Sequence, residues 1–172
     1  MPLLLRILGT FNAAIWLGAA VFFTFALTTG VFSEEMKRVF GGYYTGVIAQ
    51  MFVGRYFVVH IVCAVIALIH FFGDIIYTGR PFRRFTFGLL ILVLSLGLLG
   101  GYVFTPRLKD LHQVKYRGTP EQQEAARQQF TRLHVTSRVT DIFSLIAIII
   151  YTWQVTTPSN HTRFVSAQKF RG

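Results

Sequence analysis

The chain has 172 residues, of which 53% are hydrophobic and 14% charged, against about 25% charged in ordinary soluble domains. The apolar residues gather into four long blocks, which excludes a soluble globular domain, and the length leaves room for a single domain. The formal net charge of +10 falls mainly between the blocks, where phospholipid headgroups would lie, so a nucleic-acid partner is excluded and the lipid bilayer is the expected one.

The first block carries no charge between Arg6 and Glu34. It is too long for a signal-peptide core and reads as a retained span over about 7–30. Ala14 and Gly18 give it a small-xxx-small spacing, a device for close helix approach in lipid.

Between spans 1 and 2, Val39, Tyr43, Val47 and Met51 recur every fourth residue, flanked by Phe40, Tyr44, Ile48 and Phe52. This stripe predicts an amphipathic helix lying on the membrane surface. Its other face holds Gly41, Gly42, Gly46 and Ala49, which could accept another helix.

Span 2 is expected at about 54–77 and span 3 at about 85–106, joined by the short basic turn Thr78-Gly79-Arg80-Pro81-Phe82-Arg83-Arg84. Gly97 and Gly101 form a GxxxG pair in span 3, and Pro106 predicts a kink beyond it. Helix 3 is expected to continue through Leu108 and Leu111. Thr119-Pro120-Glu121-Gln122 is an N-cap, a first-turn proline and a capping-box glutamine, so a helix starts there and runs into span 4 at about 139–158. The two arms form a hairpin turning near Gly118, and a basic tail occupies 159–172. The expected fold class is an all-α membrane protein: a four-transmembrane-helix bundle with an amphipathic helix between helices 1 and 2 and a helical-hairpin extension between helices 3 and 4.

Folding the hairpin about Gly118 sets Tyr102 level with His134 and Ser95 level with Asp141. His134, Ser137, Arg138 and Asp141 share one helical face, and Arg138 can pair with Asp141 at three residues' separation. Charges at bilayer depth usually face the bundle interior and pair. With His60 on helix 2, these side chains and Tyr102 make the candidate polar intramembrane patch, and helix 1 reaches the same depth with Thr24 and Thr28. Two readings stay open: a structural ion pair at the headgroup boundary, or a functional cavity.

No catalytic residue is proposed. The sequence holds no nucleophile–base set, Walker loop, dinucleotide fingerprint or H-E-x-x-H, so the chain reads as a non-enzyme, and no cofactor is expected. His60 and His70 are ten residues apart and diverge by about 80° around a helix, which argues against a shared haem face. His60 and Cys63 form an H-x-x-C pair, a weak candidate for soft metal ligands such as copper takes. A packed cysteine beside a hydrogen-bonded histidine is the simpler reading.

Several stretches resemble one family. Ile15-Trp16-Leu17-Gly18-Ala19-Ala20-Val21-Phe22-Phe23-Thr24-Phe25 is similar to the helix 1 signature of the transmembrane protein 205-like family, also called domain of unknown function 4149. Residues Tyr43 to Tyr56, ending in Phe-x-x-Arg-Tyr, resemble that family's approach to helix 2. Thr105-Pro106-Arg107-Leu108 resembles its departure from helix 3, and Phe130-x-x-Leu133-His134-x-x-Ser137 with Asp141 resembles its start of helix 4. The resemblance spans roughly residues 8 to 157. It implies a four-helix membrane domain without an established molecular activity, with a eukaryotic member associated with platinum-drug resistance and a looser similarity to copper resistance protein D. Asp141 stands where the family pattern has Asn, and Thr29-Gly30 where a proline often follows helix 1, which leaves the end of that helix open.

Three function classes follow. The first, and the leading expectation, is a non-catalytic accessory or scaffold subunit packing against other membrane proteins or a second copy of itself. The others are a small-solute or metal-handling membrane protein and a haem-binding electron carrier. A plasma or inner membrane is expected, and the density of arginines in the short turn leans the termini towards the cytoplasm.

Overall fold

The computed structural model describes residues 2–79 and 81–157. Arg80 and the basic tail at 159–172 lie outside the described residues. Among these residues four helices are long and apolar enough to cross a membrane: α1 (Leu3–Val31), α2 (Glu34–Thr78), α3 (Arg84–Arg117) and α4 (Pro120–Thr156). The chain is a multi-pass helical membrane protein. Helices are the natural solution, because backbone groups in hydrocarbon must be satisfied within the segment.

The four rods are longer than a bilayer needs. At ~1.5 Å per residue the 45 residues of α2 would span roughly 68 Å, against a ~30 Å hydrocarbon core. The amphipathic stretch is helical, but it is the first part of α2 and not a separate surface helix. Ser33 caps the start, its Oγ accepting from the Met36 N–H at 3.3 Å. Gly41 alone leaves the helical region, at φ 70° and ψ 162°. A φ that glycine tolerates and other residues resist breaks the rod there, and helix resumes at once towards the membrane. Val39, Tyr44 and Met51 point outward, while Thr45 and Ala49 are buried on the inward face.

Two stretches wind as π-helix, Phe22–Leu27 in α1 and Gly100–Phe104 in α3. The second lies just before Pro106, which has no N–H and crowds the carbonyl four residues back. Widening the preceding turn relieves that crowding, so the expected kink takes this form. A threonine follows each stretch and satisfies a freed carbonyl: Thr105 Oγ1 donates to Gly100 O and Thr28 Oγ1 to Phe23 O, both at 2.8 Å. α1 continues helically past Thr29-Gly30 to Val31.

The hairpin turns at Gly118, and the reciprocal capping box of Thr119 and Gln122 starts α4. At the other end Gly79, at φ 65°, closes α2, and Arg83 reaches back to Asp74 at 3.8 Å across the short turn.

Small residues let the helices meet in the middle. Ala13 and Ala20 of α1, Ala64 and Ala67 of α2 and Ala147 of α4 are buried with Trp16, Leu90, Ile148 and Tyr151. A Cβ added at Gly97 would collide with the His60 ring, one at Gly100 with the Phe57 ring, and one at Gly101 would lie 3.3 Å from Phe57 Cβ. The GxxxG pair thus sits on the face of α3 that meets α2. Ala14 and Gly18 do not pack: Ala14 is exposed and nothing lies within 4 Å of a Cβ at Gly18. The inward small face of α1 runs through Ala13 and Ala20 instead.

Candidate functional site

Where the hairpin extension meets the early part of α2, the helices stop filling the space between them. Gly46 lies against the His112 ring and Gly42 against the Tyr116 hydroxyl, so the small-residue face of α2 accepts the end of α3. Beside this contact is a cavity of about 840 Å³. Small-molecule sites typically enclose ~300–1,000 Å³.

All four helices wall it. α1 contributes Phe23, Thr24 and Thr28 from its π stretch and the turn after it, and Phe32 follows. α2 contributes Lys37, Thr45, Ala49 and Val53, and α3 contributes Thr105, Leu108, His112 and Lys115. From α4 come Phe130, His134, Ser137, Arg138, Asp141 and Leu145. The α4 residues recur at three- and four-residue steps, so they form one face of that helix.

The side chains are ordered along the bundle axis. Near the hairpin turn, His112 is buried and stacks on Tyr43 at 5.4 Å between ring centroids. Phe130 separates it from His134, with centroid distances of 6.1 and 5.8 Å, and Phe32 meets His134 edge-on at 6.4 Å. Lys115 Nζ stands 5.2 Å from the ring centres of both Tyr116 and Phe130, a cation–π placement. Further in come Ser137, which is buried, then Arg138 and half-buried Asp141. Further in than Asp141, the α4 wall is apolar, with Ile142 and Leu145, and Phe23 of α1 adds to it.

The expected patch is therefore partly assembled. His134, Ser137, Arg138 and Asp141 come together on the cavity wall. Arg138 and Asp141 both face this space, and no ion pair joins them.

Tyr102 does not join them. It lies within the π stretch of α3 and is 75% exposed on the outside of the bundle. Ser95 is likewise exposed, its hydroxyl donating to Ile91 O at 2.8 Å.

His60 is also elsewhere. It is 1% exposed in the central core, where Trp16 Nε1 donates to its Nδ1 at 3.3 Å and its Nε2 lies 3.1 Å from Val93 O. With Nδ1 accepting, Nε2 carries the hydrogen and donates. Both nitrogens are committed, so the H-x-x-C pair with buried Cys63 has no imidazole nitrogen free for a metal, and the same holds for an axial haem bond. The Cys63 backbone carbonyl accepts from Asn12 Nδ2 at 3.0 Å, a buried polar tie that the sequence reading missed.

His112 was missed as well, although Gly42 and Gly46 had marked the face that receives it.

A family profile, the domain of unknown function DUF4149, matches residues 11–117. The chain belongs to the DUF4149 family. The match covers α1 to α3 and ends one residue before the hairpin turn, so the α4 wall of the cavity, including Arg138 and Asp141, lies outside it. No curated protein and no solved structure matches the chain.

Proposed function

We propose that this DUF4149 protein is a non-catalytic membrane protein that holds a small solute in the cavity between its four helices. The observation that supports this is the cavity itself: about 840 Å³ is left open at the level where α4 presents an unpaired arginine and carboxylate. A merely structural bundle gains nothing from such a space, because voids forfeit packing contacts. The flanking π stretches agree with the reading, since π-bulges occur often at functional sites.

The accessory-subunit reading has less support. It drew on the GxxxG face and on the absence of catalytic motifs, and Gly97 and Gly101 are taken up inside the chain by His60 and Phe57. Copper handling through His60 and Cys63 loses its free imidazole nitrogen.

The experiment is to purify the protein gently and identify the small molecules extracted from it, beside a variant with the cavity filled by Thr24→Trp. Binding in the cavity gives a species that wild type retains and Thr24→Trp lacks at equal thermal stability. Identical contents in the two would overturn the proposal.

A further inference from the structure

We infer that the cavity takes a single-chain anionic amphiphile, its acidic head between Lys115 and Arg138 and its hydrocarbon chain running inward along Phe23, Ile142 and Leu145; this rests on the cavity being a binding site, as proposed above.

Depth is the first argument. α4 runs 37 residues, roughly 55 Å, and a bilayer core takes up only ~30 Å of it. Charges recur in α4 up to Asp141 and are absent from there to Thr156, so the hydrocarbon boundary falls beside Arg138 and Asp141. The cavity extends along α4 from Phe130 to Leu145, fifteen residues or roughly 22 Å. It therefore joins the water side of the boundary to the hydrocarbon side. A ligand that fills it needs a polar end and an apolar end.

Charge fixes the sign of the polar end. Lys37, Lys115 and Arg138 line the cavity against one carboxylate, Asp141. Glu34 engages Lys37, which leaves Lys115 and Arg138 to meet a ligand. They reach the space from different helices, α3 and α4. An arginine offers a planar fork of donors suited to carboxylate or phosphate oxygens. Asp141 lies three residues further in than Arg138. Beyond it Ile142 and Leu145, with Phe23 of α1, suit a hydrocarbon chain, which gains about 0.8 kcal/mol per buried methylene relative to water.

Native mass spectrometry of the full chain released from neutral detergent tests this. The probes are palmitate, lysophosphatidate, methyl palmitate and hexadecyltrimethylammonium. Palmitate, lysophosphatidate or both should bind at least tenfold tighter than the ester and the cation, and the preferred acid tells a carboxylate head from a phosphate one. Arg138→Gln with Lys115→Gln should weaken acid binding at least tenfold, and Thr24→Trp should abolish it. Ser137→Phe fills the same space if Thr24→Trp does not fold. Equal or tighter binding of the ester or the cation, still lost in the filled variants, would overturn the anionic assignment and leave the binding cavity standing. Binding of no probe would also overturn it. Acid binding that survives both filled variants would place the ligand elsewhere and overturn both.

Discussion

Trp16 Nε1 donates to His60 Nδ1 across the centre of the bundle, 3.3 Å away and out of reach of solvent. The bond joins α1 to α2, and His60 passes the connection on to the α3 backbone at Val93 O. Trp16→Phe should leave the buried Nδ1 without a donor, at a cost of about 1–3 kcal/mol. Tyr151 is the contrast on the same indole: its ring packs against Trp16, but its hydroxyl has no partner among the described residues. Tyr151→Phe should leave stability unchanged or raise it. Thermal unfolding in detergent compares the two, and an equal loss from both would contradict the hydrogen-bond reading.

Glycines on the two faces of the bundle should respond in opposite senses. A methyl at Gly97 meets the His60 ring, so Gly97→Ala should destabilise by about 1–3 kcal/mol, as overpacking does. Gly18 has nothing within 4 Å, and Gly18→Ala should stabilise by about 0.5–1 kcal/mol through helix propensity. Denaturation midpoints of the purified variants decide this. A destabilising Gly18→Ala would point to a partner on that outer face.

Arg138 and Asp141 are three residues apart and do not pair among the described residues. Asp141→Asn should therefore leave stability unchanged or raise it, because it removes a half-buried charge that has no partner. Adding Arg138→Gln should produce no recovery, because there is no pair energy to restore. A loss above about 1 kcal/mol that the second change repairs would show an ion pair in solution.

Four crossings put the ends of the described chain on one side. Labels at Leu4 and Thr157 should be reached by a membrane-impermeant reagent from the same face, and a label at Gly118 from the opposite one. Opposite faces for Leu4 and Thr157 would remove the four-span arrangement.

The spans and the hairpin were legible because their signals are local. Charge-free blocks mark what lipid admits, and Thr119, Pro120 and Gln122 announce a helix start wherever they stand. The side chains that face the cavity were legible on α4, which winds uninterrupted from Pro120 to Thr156, and at Thr24 and Thr28 on α1, which line it too. Tyr102 was misplaced because equal arms about Gly118 fix a level and not a helix face, and because the arms are staggered: His112, six residues before the turn, meets Phe130, twelve after it. His60 was misplaced because span 2 was expected to begin at about 54, whereas α2 begins at Glu34 and carries His60 into the central core. Ala14 and Gly18 show a different limit: small residues suit both a helix contact and a lipid-facing surface, and composition does not separate the two.

The central claim is that the space beside Ser137 holds a solute. The most direct measurement is the rate at which a water-soluble maleimide modifies the thiol introduced by Ser137→Cys, with buried Cys63 as the internal control. Ser137 lines the cavity while Gln128, on the same helix, is exposed outside it. Protein stripped of its retained small molecules should react readily at Ser137→Cys, and adding back the extracted fraction should slow that reaction at least tenfold while leaving Gln128→Cys unchanged. An equal rate at Ser137→Cys with and without the fraction would contradict the claim.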